Sequence, residues 1–399
     1  MKRVCVISIT NFRNSSRAMR TVKSMSKTCI VDYFFYGNTV SKEDHPIFNE
    51  NVNLYSLQYR KNGLLQKLLS HSFYFLKYSS LIKEIKNKGK KYEVVYAHDL
   101  YTSYAAYRIS KSQNSKLIYD VHDLFTEILN QFFPLNSLFP KSAIIKLNIQ
   151  LIKYINNKWE SFFVKKSDLL VTANSHFQRY LIEKYGANNC IVTPNYPEYV
   201  KIKKDYILYK KLHLPMETKI VLYHGALNHG RNLELIIESV KFFNENIVLV
   251  IIGEGPLKEK LIALSKTDNI KSKVFFQDFV DYSMLLTLIS SASLGLMLLD
   301  HINYSKKHAL ANKITEYMAA GVSVLATDSP ENTRIIKQSN CGFIKTTNSP
   351  KELGEFINTI VENENLDKIG KNGKAAFKNK FNWNLYENLF LQSFNALIN

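Results

Sequence analysis

Cysteine is scarce in this 399-residue chain, and Cys5, Cys29, Cys190 and Cys341 never fall at CxxC spacing. A disulfide framework or a zinc site of the usual spacing is therefore not expected, and reduced thiols fit. Long apolar runs are missing as well: no stretch approaches the ~20 residues that cross a bilayer. The opening MKRVCVISIT is a short strand pattern and not a signal peptide. Two glycine-rich phosphate motifs, GxGxxG and GxxxxGK[ST], do not occur, which argues against a tightly bound dinucleotide and a Walker loop. Acidic residues are short, 34 against 53 Lys and Arg, for a net charge of +19. That excess suits an anionic partner such as a nucleotide, a nucleic acid or a lipid surface; the Lys, Asn and Ile bias of an AT-rich genome would also produce it.

What is present is a chain with core enough for two domains, 46% hydrophobic with 24 Tyr and 24 Phe. Apolar runs at 3–9, 29–37, 92–99, 116–123, 169–174 and 189–195 read as strands, with helical periodicity at 15–27, 102–112, 143–166 and 175–185. The pattern restarts after a polar segment at 196–206. Strands are expected at 219–225, 246–253, 273–279, 293–299, 322–328 and 341–346, and helices at 231–244, 255–266, 282–291, 312–320 and 350–361. Alternating strands and helices imply parallel βαβ units, hence an α/β protein of two Rossmann-like halves. Ligands bind beyond the carboxyl ends of such strands, which predicts a site in a cleft between two facing halves.

Polar residues gather at those strand ends. His98 and Asp99 close one strand, and Asp120, His122 and Asp123 close the next. A histidine flanked by carboxylates suits a base, an orienter of substrate or a metal ligand, while Asp123 also suits a plain helix cap. The spacing does not assemble a full metal ligand set. In YHGALNHGRNLELII (223–237), Gly225 and Gly230 let backbone approach a ligand, and Arg231 begins a helix, a pattern suited to phosphate but also to an ordinary strand–turn–helix junction. IIGEGPLKEKL (251–261) reads as turn chemistry, with Pro256 in the first helical turn. In ANKITEYMAAGVSVLATD (311–328), a helix over 312–320 lines up Asn312, Glu316 and Ala320. Glu316 suits either the helix dipole or two neighbouring hydroxyls such as those of a ribose.

NKITEYMAAGVSVLATD resembles the NKxFEYMAAGxPVIATD block of retaining glycosyltransferases of family four, which have the GT-B fold. The segments 94–127, 169–199, 223–240, 251–257 and 274–280 resemble others of that family in the same order, and FNWNLYENLF (381–390) resembles its closing helix. The resemblance implies an N-terminal acceptor domain (1–198), a C-terminal sugar-nucleotide domain (199–382) and a helix (383–399) crossing back to the first. It implies a metal-independent enzyme without cofactor, whose co-substrate is a nucleotide sugar. It matches Glu316 to a ribose-binding glutamate, Arg231 and Lys313 to the diphosphate, and Phe279 and Val280 to the base. The loop His308, Ala309, Leu310, Ala311 and Asn312 falls on the donor sugar and β-phosphate, Gly225 counts among the donor-binding residues, and His122 falls on a histidine near donor sugar and acceptor. Many relatives carry a second glutamate where this chain has His308, and a proline where it has Ala311.

On the acceptor side, Arg13, Arg17 and Arg20 follow the first strand and suit an anionic acceptor or donor phosphate, beside His98, Asp99 and His122. The basic, aromatic segment 63–91 suits a surface helix on anionic lipid as well as a core helix. The expectation is a cytoplasmic enzyme, peripheral at the inner face of the membrane, that builds a bacterial surface polysaccharide on a glycan or lipid-linked acceptor. A GT-B sugar-nucleotide epimerase is the rival enzyme. A nucleic-acid-binding protein is the non-enzymatic rival, and no RNA-binding or helix-turn-helix signature supports it.

Overall fold

A computed structural model describes residues 1–9, 15–37, 48–57, 80–132, 143–267, 270–278, 280, 282–300, 304–309 and 312–398. Two compact units divide the chain: Met1–Asn195 together with the residues from Tyr386 onward, and Tyr196–Leu385.

The first unit is built on a parallel sheet ordered β3-β2-β1-β4-β5-β6-β7. Its strands are β1 (Arg3–Ile7), β2 (Ile30–Tyr36), β3 (Val52–Leu57), β4 (Val94–His98), β5 (Lys116–Val121), β6 (Leu169–Thr172) and β7 (Cys190–Val192). The central strands are apolar on both faces, as parallel sheets covered by helices require; Val4 to Ile7 and Val94 to Ala97 are wholly buried. β3 is an edge strand that the sequence pattern did not reveal. Only Val52 is buried in it, so its residues carry no continuous apolar run.

The second unit repeats the plan with the order β10-β9-β8-β11-β12-β13. Its strands are β8 (Lys219–His224), β9 (Ile247–Ile252), β10 (Val274–Gln277), β11 (Leu294–Met297), β12 (Ser323–Ala326) and β13 (Gly342–Ile344). Helix starts follow local chemistry. Ser329 and Ser349 cap helices that open on Pro330 and Pro350, where a missing N–H costs nothing.

Helix Trp383–Ile398 contributes its residues from Tyr386 onward to the first unit. There Glu387 accepts a hydrogen bond from Ser24 at 2.7 Å and pairs with Lys27 at 2.6 Å, and Phe390 and Phe394 are buried. Residues 63–79 of the basic segment lie outside the described residues. Its last part forms helix Ser80–Asn87, which buries Leu81 and Ile85 and exposes Lys83 and Lys86, as a core helix does.

Candidate functional site

In the first sheet, β1 lies between β2 and β4, so the connections leaving β1 and β4 run to opposite sides. The carboxyl ends of two such strands bound the crevice where open α/β sheets bind ligands. Arg17, from helix Ser16–Met25, enters this region and is nearly fully buried. Its Nε donates to both Asp120 oxygens at 2.9 and 3.0 Å, and Nη2 donates to Oδ1 at 2.7 Å. The remaining donors reach the Thr193 carbonyl and hydroxyl. Tyr96 donates to Asp120 Oδ2 at 2.8 Å. Burial alone would raise the Asp120 pKa, but the guanidinium outweighs it and holds the carboxyl well below its ordinary range.

Two histidines adjoin this pair. His98 Nδ1 lies 2.8 Å from His122 Nε2, and His122 Nδ1 lies 3.4 Å from Asp99 Oδ2. The His122 backbone N–H donates to Asp99 Oδ1 at 3.2 Å. Burial lowers the His98 pKa to about 4. Burial also works against charge on His122, yet Asp99 and Asp120 together raise its pKa. Asp99 is pushed up to about 6, chiefly by burial.

Ligand atoms of His98, Asp120 and His122 lie within 4.8 Å of one another, a juxtaposition that sequence spacing did not show. A cation there would meet an Asp120 already bound along one edge by Arg17, and two imidazoles bonded to each other. These residues do not present an open ligand set.

In the second sheet the corresponding crevice lies between β8 and β11, which pair only at Leu294 with Val221 and Gly295 with Leu222. Helix Asn312–Ala320 is seated where they part. The Tyr317 hydroxyl lies 2.9 Å from the Leu222 carbonyl on β8 and 3.2 Å from the Leu296 carbonyl on β11. Gly295 is needed for this seat, because a Cβ there would come within 2.3 Å of the Tyr317 ring.

The preceding turn of that helix faces the end of β8. Lys313 is buried with its Nζ 3.9 Å from the centre of the Tyr223 ring, a cation–π contact. Gly225 has φ of +114°, and a Cβ there would lie 2.8 Å from Lys313 Cε. Burial, reinforced by Arg231, drives the Lys313 pKa well below the ordinary lysine value; Glu316 opposes this. His224 is buried beside them, its Nε2 3.6 Å from Glu316 Oε2 and without a hydrogen-bond partner among the described residues. Burial and Lys313 hold its pKa well below the usual imidazole value. Among the described residues neither Lys313 nor Arg231 has a carboxylate at ion-pair distance.

Residues 36–196 match the family model described as Glycosyltransferase Family 4, and residues 207–376 the model described as Glycosyl transferases group 1. The chain belongs to the family-four, group 1 glycosyltransferases.

An uncharacterised glycosyltransferase of Methanocaldococcus jannaschii is 24% identical to this glycosyltransferase over 270 residues, 65% of this chain and 67% of its own. The chitobiosyldiphosphodolichol beta-mannosyltransferase of Candida albicans is 23% identical over 307 residues, 72% of this chain and 62% of its own. These matches thus span roughly two thirds or less of each relative's length. The Anabaena protein HepE, solved in complex with UDP and glucose, superposes with a TM-score of 0.72 at 14% identity, covering 99% of this chain and 100% of its own. Structural neighbours of this kind establish the GT-B fold.

The glycosyltransferase brings His98, Asp99 and His122 together in one unit, and Gly225, Lys313 and Glu316 in the other. Arg231 stands close enough to weigh on the Lys313 charge. One expectation is corrected: Arg17 does not face an acceptor or a phosphate, because its guanidinium is buried and consumed by Asp120 and Thr193. Arg20 likewise donates to Asn195. His308 closes helix Tyr304–His308, with its Nδ1 2.9 Å from the Tyr304 carbonyl and its ring against that tyrosine. Ala309 follows it, Asn312 opens the next helix, and Val280 stands just past β10. Arg13, Phe279, Leu310 and Ala311 lie outside the described residues. His224 escaped the sequence reading; its only signal was a polar residue closing an otherwise apolar strand.

Proposed function

We propose that this glycosyltransferase moves a sugar from a nucleotide sugar, held by the second unit, to a hydroxyl of a glycan or lipid-linked acceptor, held by the first. The observation that carries the reading is the pair of basic side chains, Lys313 and Arg231, beside Gly225 at the crevice between β8 and β11, neither with a carboxylate at ion-pair distance among the described residues. Burial disfavours the charged form of Lys313, and a diphosphate beside it would favour that form. Glu316 lies beside them, with a carboxylate suited to the paired hydroxyls of a ribose. Val280, with Phe279, would lie against the base, and His308 to Asn312 would meet the sugar.

In the retaining reaction the acceptor hydroxyl attacks from the face that the leaving group departs, and its proton passes to the departing phosphate oxygen. Arg231 and Lys313 neutralise charge building on that diphosphate, the role a metal plays elsewhere, so the proposed reaction is metal-independent. UDP and glucose in the Anabaena neighbour support a sugar-nucleotide donor. The diphosphodolichol acceptor in the Candida relative's name supports a lipid-linked acceptor. A role in bacterial surface polysaccharide, at the inner face of the membrane, is the setting this reading favours; no described helix is long and apolar enough to cross a membrane.

A thermal-shift screen against UDP-, GDP- and ADP-sugars, followed by product analysis, tests the proposal. Slow release of free sugar and nucleoside diphosphate without acceptor is the expected result. Interconversion of sugars on the nucleotide would instead make the protein an epimerase, and no response to any nucleotide sugar would defeat the donor assignment.

A further inference from the structure

The second sheet carries a cavity that none of the candidate donor residues lines. In the order β9-β8-β11-β12 the chain leaves β8 and β11 in opposite directions across the sheet. Right-handed crossovers then set helix Leu233–Ser239 on one face and helix Asn312–Ala320 on the other. Lys313 and Glu316 belong to the second of these helices. On the face of the first, helix Leu233–Ser239 packs against helix Pro350–Asn363. A cavity of about 330 Å³ opens between this pair and the carboxyl ends of β11, β12 and β13. It lies on the edge of the sheet where α/β folds bind their ligands.

Hydrogen bonds within the protein hold its walls in place. The Leu299 N–H donates to the Thr327 hydroxyl at 2.8 Å, and the Asp328 N–H to the Thr346 hydroxyl at 3.1 Å, which ties the exits of β11, β12 and β13 to one another. The Asp300 N–H donates to the Gly230 carbonyl at 3.3 Å, on the loop that leads into helix Leu233–Ser239. Lys345 pairs with Glu352, and the Thr347 hydroxyl donates to the other Glu352 oxygen at 2.6 Å. Leu298, Leu299 and Leu353 are buried and Leu235 is half-buried, so part of the lining is apolar.

Three polar side chains of the lining are left over. Asn232, Asp300 and Asn348 make no side-chain hydrogen bond or ion pair among the described residues. Asn232 heads helix Leu233–Ser239 without capping it. Each amide offers donors and an acceptor, and the carboxylate can accept from two hydroxyls at once. Lys345, the one cation among the described lining residues, is neutralised by Glu352. A phosphate would therefore meet the Asp300 charge with no free cation to offset it. Leucines, two amides and one carboxylate suit a neutral ligand with several hydroxyls and a C–H face.

We propose that this cavity is a saccharide subsite of the second unit, which takes a neutral sugar ring independently of the nucleotide-sugar donor. Asp300 accepts from two adjacent ring hydroxyls, Asn232 and Asn348 bond hydroxyls further round the ring, and the leucines cover its C–H face. The subsite goes beyond the proposed function, whose donor residues do not line it and whose acceptor residues belong to the first unit.

Saturation-transfer NMR of the full-length protein tests this with D-glucose, D-galactose, D-mannose and N-acetyl-D-glucosamine, with UDP, GDP and ADP present to fill the donor crevice. At least one sugar should bind with a Kd of about 1–20 mM, as suits a ligand this small. Asp300→Ala should weaken that binding about tenfold and Asn348→Ala about 3–10-fold, with nucleotide affinity unchanged. Asn348 is exposed, so its variant keeps the fold even if Asp300→Ala does not. Leu235→Trp, which fills the cavity, should abolish binding, and glucose 6-phosphate should bind less well than glucose. No transfer to any of the four sugars overturns the inference. Binding that survives both alanine variants does the same, because the sugar then sits elsewhere. Tighter binding of the phosphorylated sugar, lost in Asn348→Ala, overturns the neutral class. Turnover of a nucleotide sugar without saccharide binding sinks the subsite alone, whereas saccharide binding without turnover sinks only the proposed function.

Discussion

At the carboxyl ends of β1 and β4, Arg17 and Asp120 neutralise each other within a buried network. At the carboxyl ends of β8 and β11, Lys313 and Arg231 lack any such partner among the described residues. The same topological position thus serves opposite purposes. A satisfied ion pair holds its neighbours, here His98 and His122, in fixed places. Basic side chains without such a partner favour the arrival of an anion. Removing a charge should therefore harm the fold of the first unit and the ligand binding of the second.

Arg17→Ala is the severest test on the first side. It leaves Asp120 buried and unpaired, at a cost of about 3–5 kcal/mol in stability. The two tryptophans fall one in each unit, so in a Trp383→Phe background Trp159 fluorescence reads the unfolding of the first. A loss below about 1 kcal/mol would show that the network is not a structural support. The counterpart is Arg231→Ala, which should cut turnover about 10²–10³-fold while Tm barely moves. A large fall in Tm would erase the contrast.

Acid stability probes the network further. His98 titrates near 4 in the fold, below its ordinary value of 6.5, so its contribution is fully present above pH 6.5. That contribution drains away as pH falls from 6.5 toward 4, by about 3 kcal/mol at most. Asp99, pushed up to about 6, works in the opposite sense and reduces the net slope. His98→Gln should flatten the acid limb of a stability–pH curve; an unchanged limb would place the titration elsewhere.

On the second side, Glu316→Ala should weaken sugar-nucleotide binding by about 1.5–3 kcal/mol, measured by calorimetry, with its Tm near that of wild type. The smallest effect is the most diagnostic. Lys313 is held well below its ordinary pKa by burial and Arg231, so a diphosphate beside it should draw a proton onto it. Binding measured in buffers of different ionisation enthalpy should show proton uptake, with affinity rising as pH falls. Lys313→Met should abolish that uptake and stabilise the empty protein by about 1 kcal/mol. Proton release on binding would contradict the picture of an anion-starved site.

Much of the scaffold is legible in the residues themselves. The buried strands are continuous apolar runs such as IVLVII in β9, and helices 143–166, 175–185 and 312–320 match their periodicity to the residue. β3 escaped notice because a half-buried edge strand leaves no such run. The site was legible as residue types at strand ends, Gly225, Arg231, Glu316 and His122 among them, but its electrostatics were not. Arg17 is 103 positions from Asp120 and looked like a free cation after the first strand. His224 and Glu316 are far apart in sequence and meet only because β8 and β11 are neighbours.

What the sequence determined by itself was the alternation of strand and helix, the restart near residue 200 and the family block around NKITEY. Hydrophobic periodicity and turn chemistry are local, and a local pattern survives in one dimension. What the tertiary structure alone decided was which charge meets which. Sheet order sets β1 beside β4 and β8 beside β11, and burial there turns an arginine into a strut, holds a lysine below its ordinary pKa and brings two histidines into contact. Such identities depend on distance and on the loss of water, and neither is a property of the chain until it folds.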